Sequence, residues 1–267
     1  MKDLRRRLPT TAVLIVFAYA AIRFLPILYF SALLYLLVSL AAWELIRLTR
    51  PQNFSWLLVF ANGLLVALAF TFNQKIDLKQ ALAAGLIASG LFFLFTVRSR
   101  ERLDQFARDW GILFLTTVYL YIPLYFLLEL KKKGANYLFF LIFVIAVGDS
   151  GAYFVGSALG KHKIYPLASP KKSLEGLIAA ILTAALSGWL AVLLFPVAVG
   201  IPTAIFTAAV IGLFSQLSDP VESLFKRAAG KKDSGSLLPG HGGILDRLDS
   251  YIFCAPLLFY LIRYFWK

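Results

Sequence analysis

The sequence predicts an all-α, polytopic integral membrane protein with about nine transmembrane helices and a cytoplasmic N-terminus. Three observations carry this reading. Hydrophobic residues make up 60% of the 267 positions and charged residues only 15%, far from the balance of a water-soluble domain. Apolar runs recur along the whole chain, several of them near or above the ~20 residues that carry a helix across a bilayer. The basic residues fall mainly on alternate connections, as cytoplasmic loops do. The strict alternation that marks a membrane β-barrel is absent from the sequence. A single cysteine, Cys254, sits in an apolar run, so neither a disulfide framework nor a cysteine metal cluster is expected. The net charge of +13 fits basic loops beside anionic lipid, and no nucleic-acid partner is expected.

The nine spans are expected at about residues 10–24, 26–46, 55–72, 80–97, 111–130, 136–159, 174–197, 202–217 and 250–265. The first is short. Lys2, Arg5, Arg6 and Arg7, an apolar run and Ala18-Tyr19-Ala20 imitate a secretory leader, but a second span follows at once, so the first is read as a retained helix. An N-terminus in the cytoplasm puts nineteen lysines and arginines inside and eight outside. Lys131, Lys132 and Lys133 are the exception to that bias. Two regions follow: residues 1–135, transmembrane helices joined by short solvated loops, and residues 136–267, which carry the polar motifs on cytoplasmic loops. No internal repeat of the kind common in transporters is visible.

The sixth span holds Asp149. A carboxylate there costs roughly 2.5–3.5 kcal/mol on insertion scales, so it should face a partner or a polar cavity. Gly148, Ala152, Gly156 and Gly160 recur every fourth residue and make a smooth ridge for a neighbouring helix. The following loop carries Lys161, His162, Lys163, Lys171 and Lys172, with a turn at Ser169-Pro170 and Ser173 placed to cap the seventh span. Its lysines read either as topogenic charge or as phosphate ligands.

At the end of the eighth span stands Ser218-Asp219-Pro220-Val221-Glu222-Ser223. Proline disfavours helical geometry before it and donates no hydrogen bond, so the helix is expected to break or kink at Asp219. Asp219 is then an N-cap, with Glu222 at the third helical position, or a metal ligand, or both. Lys226 and Arg227 follow as interfacial anchors or phosphate clamps. Next comes a glycine-rich connection with Lys231, Lys232, Asp233, His241, Gly242 and Gly243, whose backbone N–H groups suit an anion. It is not a Walker loop. Asp246, Arg247 and Asp249 open the ninth span, where acidic groups also complement the helix dipole. Carboxylates at span ends, basic residues and a glycine turn together suggest a Mg²⁺–phosphate site, with a second cation possible.

Ser223 to Asp249, SLFKRAAGKKDSGSLLPGHGGILDRLD, resembles the signature of the phosphatidate cytidylyltransferases (CDP-diacylglycerol synthases), with no departure across it. The Asp149–Tyr153 and Ser169–Ser173 elements are similar too, while Ser218 and Pro220 replace the family's common Gly and Leu. The resemblance implies an enzyme, a nucleotidyltransferase of phospholipid biosynthesis. Its reaction would be CTP plus phosphatidate giving CDP-diacylglycerol and pyrophosphate, with a divalent metal. It implies a multi-pass inner-membrane protein, often a homodimer, with 136–267 as the catalytic region. Asp219 and Asp246 would hold the metal. Lys226, Arg227, Lys232, His241, Gly242, Gly243 and Arg247 would bind nucleotide and phosphate. Asp149, Lys171, Lys172, Glu222, Ser223, Asp233 and Asp249 would support them. The alternative from another class is an ion or solute transporter with an intramembrane carboxylate relay through Asp149, Asp219 and Asp246.

Overall fold

The computed structural model describes residues 13, 15–49, 56–72, 77–237 and 242–266. The early basic residues, Arg50, Lys75 and His241 lie outside the described residues. The helices are α1 (Ile15–Phe24), α2 (Ile27–Thr49), α3 (Trp56–Thr71), α4 (Leu78–Thr96), α5 (Arg100–Thr116), α6 (Ile122–Lys133), α7 (Ala135–Leu159), α8 (Leu174–Leu194), α9 (Ile201–Ala228) and α10 (Leu245–Phe265). Among the described residues, seven helical segments are long and apolar enough to cross a membrane. One of them is the 34-residue run Arg100–Lys133, in which α5 passes through a π-helical turn, Thr117–Tyr121, into α6. The places of the expected first and third spans hold shorter apolar helices. Phe24, Leu57 and Leu94 are each more than 70% exposed, a surface suited to lipid rather than water.

Small residues set the packing. The ridge on α7 lies against α8, where a Cβ on Gly156 would stand 3.4 Å from the Gly176 Cα. A Cβ on Gly212 of α9 would stand 2.5 Å from the Ala184 Cβ, so α8 and α9 also meet almost backbone to backbone. α10 lies against α9 and α6, and α2 touches α9 and α10. Gly134, with φ 150°, ends α6.

The polar loop after α7 holds the only strands among the described residues. β1 (Lys163–Tyr165) and β2 (Ser169–Ser173) pair antiparallel, with Lys163 opposite Ser173. Ser173 then caps α8 as expected, accepting from Gly176 N at 3.2 Å. Glu175 pins the start of the hairpin through His162 Nδ1 at 2.6 Å.

One expectation is corrected. α9 does not break at Asp219; it runs unbroken from Ile201 to Ala228 with Pro220 inside, and Asp219 is no N-cap. Pro220 lacks the N–H that would bond the carbonyl of Gln216 four residues back. That carbonyl is supplied from outside, by Lys172 Nζ at 3.2 Å. The same ammonium sits 2.9 Å from Asp219 Oδ2. A lysine on β2 thus satisfies the orphaned carbonyl, and the helix continues.

Lys131 and Lys132 have structural partners. Lys131 Nζ donates to the carbonyls of Ala21 (2.8 Å) and Ile22 (3.0 Å), and Lys132 donates to that of Phe70. They cap the carboxyl ends of α1 and α3, where the last carbonyls have no helical partner.

Candidate active site

The C-terminal half of α7, the starts of α8 and α10, the Gln216–Asp219 stretch inside α9 and the β1–β2 hairpin line a cavity of about 960 Å³, within the ~300–1,000 Å³ range of ligand pockets. Of the residues singled out in the sequence, Asp149, Lys171, Lys172, Asp219, Asp246, Arg247 and Asp249 line it. Lys163, Tyr165 and Gln216 line it as well; the sequence carried no sharp signal for the last two.

Asp149 on α7 accepts from Gln216 Nε2 at 2.7 Å. The expected polar partner of this carboxylate is therefore an amide on α9. Asp219 faces Lys172 on one oxygen and accepts from Ser223 Oγ on the other at 3.3 Å. One turn on, Glu222 is fully buried. It ion-pairs with Lys226, yet neither of its oxygens receives a well-directed hydrogen bond.

Asp219, Glu222 and Asp249 bring one oxygen each within 4.8 Å of one another. Two carboxylates so placed repel by roughly 3 kcal/mol at an effective dielectric of about 20, and a buried charge needs a partner. Three converging carboxylates, among them a fully buried Glu222 whose partner among the described residues is the Lys226 ammonium alone, fit a hard cation that takes oxygen ligands. Tyr119, carried by the π-helical turn, packs its ring against Phe225 in a tilted pair, 5.5 Å between centroids. Its hydroxyl is buried without a hydrogen-bond partner. Such turns often mark functional positions.

Asp246 is held differently. Its Oδ1 meets Lys226 Nζ at 2.8 Å. Its Oδ2 accepts from Gly243 N at 2.8 Å, Ser234 N at 3.1 Å and Ser234 Oγ at 3.0 Å. Lys226, 7% exposed, is thus committed to Glu222 and Asp246. Arg227 donates to the carbonyls of Ala168 (3.3 Å) and Lys231 (3.1 Å), stitching the hairpin turn to the loop. Lys232 and Asp233 are exposed. Gly242 has φ 82°, a left-handed value open to glycine at little cost; the turn it makes aims the Gly243 N–H at Asp246.

Sequence reasoning missed one buried carboxylate. Glu44 of α2, 1% exposed, accepts from Ser234 Oγ (2.9 Å), Ile244 N (3.1 Å) and Leu245 N (2.9 Å). The signal was available, because the insertion cost that singled out Asp149 applies equally to Glu44 in the second span.

Comparison with known proteins agrees with this chemistry. The profile of the Cytidylyltransferase family matches residues 5–265. A Bacillus subtilis protein named phosphatidate cytidylyltransferase is 32% identical over 273 residues, covering 99% of this chain and all of the relative. Proteins of the same name from Staphylococcus epidermidis and Staphylococcus saprophyticus are 35% and 32% identical, each covering 90% of this chain and 94% of the relative. With a match from residue 5 to residue 265 and relatives of this identity along their whole length, the chain belongs to the cytidylyltransferase family.

Proposed function

We propose that this protein transfers the cytidylyl group of CTP to phosphatidate, giving CDP-diacylglycerol and pyrophosphate, at the cytoplasmic face of the inner membrane. The observation that carries the reading is the charge pattern of the cavity. Lys163, Lys171, Lys172 and Arg247 share its wall with Asp219, Asp246 and Asp249, so one chamber is equipped for both polyphosphate and cation. The names of the relatives supply the substrates.

The reaction joins two anions. A phosphate oxygen of phosphatidate attacks the α-phosphorus of CTP, the bond to the β-phosphate bridge breaks, and pyrophosphate leaves. The nucleophile is already ionised, so the chain needs no strong general base; it must neutralise charge and align the reactants. Lys171, Lys172 and Arg247 do this at the wall, as point charges and a planar fork suited to phosphate oxygens. Lys226 and Arg227 hold the carboxylates and the loop in register behind them. Asp219 and Asp246, with Glu222 and Asp249 nearby, would hold Mg²⁺, with a second cation possible. When bound, the metal screens the phosphates from one another and stabilises charge on the leaving pyrophosphate. The cluster of Asp219, Glu222 and Asp249 supports a cation beside Asp219, while Asp246 is held by Lys226, Gly243 and Ser234. A homodimer in the membrane completes the reading.

The test is synthesis from labelled CTP and phosphatidate in detergent or liposomes, with and without Mg²⁺. Labelled CDP-diacylglycerol is expected only with the cation. Asp246→Asn is expected to lower turnover at least ~100-fold while the protein still inserts and elutes as a folded species. No lipid product from the unaltered protein under any cation would sink the reading.

A further inference from the structure

Glu44 belongs to the region that sequence reasoning treated as plain spans, yet it ends in the catalytic loop. Its surroundings are unusual for a buried carboxylate. Among the described residues no lysine or arginine ion-pairs with it; three hydrogen-bond donors hold it instead. Two are the backbone N–H groups of Ile244 and Leu245, at the start of α10. Ile244 offers no side-chain cap of its own, so the orphan donors of that helix end are satisfied by a residue two hundred positions upstream. A negative charge there also complements the helix dipole.

The third donor is Ser234, and this one leads to the chemistry. Ser234 Oγ lies 2.9 Å from Glu44 Oε2 and 3.0 Å from Asp246 Oδ2. A serine has one O–H to donate, so two carboxylates compete for a single proton. Asp246 in turn takes the Ser234 N–H and the Gly243 N–H. Both loop residues that hold Asp246 are themselves built around Glu44. A Cβ on Gly243 would stand 2.3 Å from Glu44 Oε2, and one on Gly235 would stand 2.4 Å from Glu44 Oε1. Glycines that read in sequence as an anion nest make room for a carboxylate of the protein's own α2. Glu44 does not line the cavity, so it acts through others.

We propose that Glu44 is a positioning residue of the cytidylyl transfer. It clamps the two ends of the Ser234–Leu245 loop and so fixes the carboxylate of Asp246 for reaction. The proposal rests on the function given above. It assigns to the N-terminal helices a direct part in the site, and it explains why the loop ends in glycines at 235 and 243.

The test uses the full-length protein, with Glu44→Gln, Ser234→Ala and the double variant, each assayed for kcat and for KM of CTP, and each melted. Glutamine keeps the shape of Glu44, but whichever way its amide lies, its NH₂ faces the Ile244 or the Leu245 N–H and leaves that donor unpaired. Residues that orient reacting groups from behind cost ~10–100-fold when altered. Glu44→Gln is therefore expected to lower kcat about 10–100-fold, with KM for CTP within about threefold, because alignment of the reacting atoms is lost more than binding. Ser234→Ala is expected to lower kcat about tenfold or more. The double variant is expected to fall no further than Glu44→Gln alone, as residues acting as one unit do. A kcat within twofold of the unaltered protein in either single variant overturns the proposal. So do losses that multiply in the double variant, or a fall in folded yield with unchanged turnover per folded molecule. If Glu44→Gln fails to fold, the kcat of Ser234→Ala decides alone. Absence of product from the unaltered protein counts against the function instead, so the two failures are distinguishable.

Discussion

Two glycines of the same motif show how differently single residues act. Gly230 has φ 67° and open space around the position of a Cβ; Gly243 is crowded by Ser234 Oγ at 2.0 Å and Glu44 Oε2 at 2.3 Å. Gly230→Ala therefore meets only backbone strain of ~1–2 kcal/mol, and its turnover is expected to stay within about twofold of the unaltered protein. Gly243→Ala drives a methyl into the clamp around Asp246. Overpacking there costs ~1–3 kcal/mol, and activity is expected to fall at least ~10-fold. Parallel melting curves and CDP-diacylglycerol assays separate the two, and equal losses of activity would contradict this account. Residues of this kind were only partly legible. Asp149, Asp219 and Asp246 stood out because ionisable groups are costly beside apolar runs. The sequence could not say that Lys226 is spent on Glu222 and Asp246, because a lysine that holds a carboxylate and one that meets a phosphate look alike until their neighbours are known.

Among elements, α9 is where local rules and tertiary contacts diverge. Residue propensity alone breaks the helix at Pro220, and in this fold Lys172 repairs the fault from a different element. The repair joins stability to the site, since one ammonium both satisfies Gln216 O and pairs with Asp219. Pro220→Ala restores the N–H inside the helix. Alanine is favoured over proline in a helix interior by up to ~3 kcal/mol, though the existing contact offsets part of that. Melting is expected to rise by about 2–6 °C. Gln216 O then gains a helical partner that competes with the Lys172 hydrogen bond, worth about 1 kcal/mol, and turnover is expected to drop by up to about fivefold. A melting point unchanged or lowered would mean that the proline is not the weak point. The β1–β2 hairpin was legible only as a turn, because three- and five-residue strands without apolar alternation give no periodic signal. The π-helical turn was hidden as well, lying inside an apolar run that reads as ordinary helix.

At the scale of the whole molecule, the fold class followed from composition and run length, and the contacts add what those leave out: how an early helix meets the late ones. α2 reaches α9 and α10, and Glu44 is the chemical end of that contact. Orientation is the remaining proposal at this scale, and the chain offers a clean way to test it. Its single cysteine, Cys254, is fully buried, so a cysteine introduced at an exposed loop is the only thiol open to a membrane-impermeant maleimide. Ser236 in the loop before α10 and Ala198 between α8 and α9 are both exposed, and α9 runs between them as a candidate span. The positive-inside distribution puts position 236 in the cytoplasm, where soluble CTP and the bilayer lipid can both reach the cavity. Ser236→Cys in intact cells should then resist the reagent and react once the membrane is permeabilised, whereas Ala198→Cys should react from outside in both. Labelling of both positions from the same side would mean that α9 does not cross the membrane. Labelling of 236 alone from outside would invert the topology and leave the active-site cavity facing away from its nucleotide.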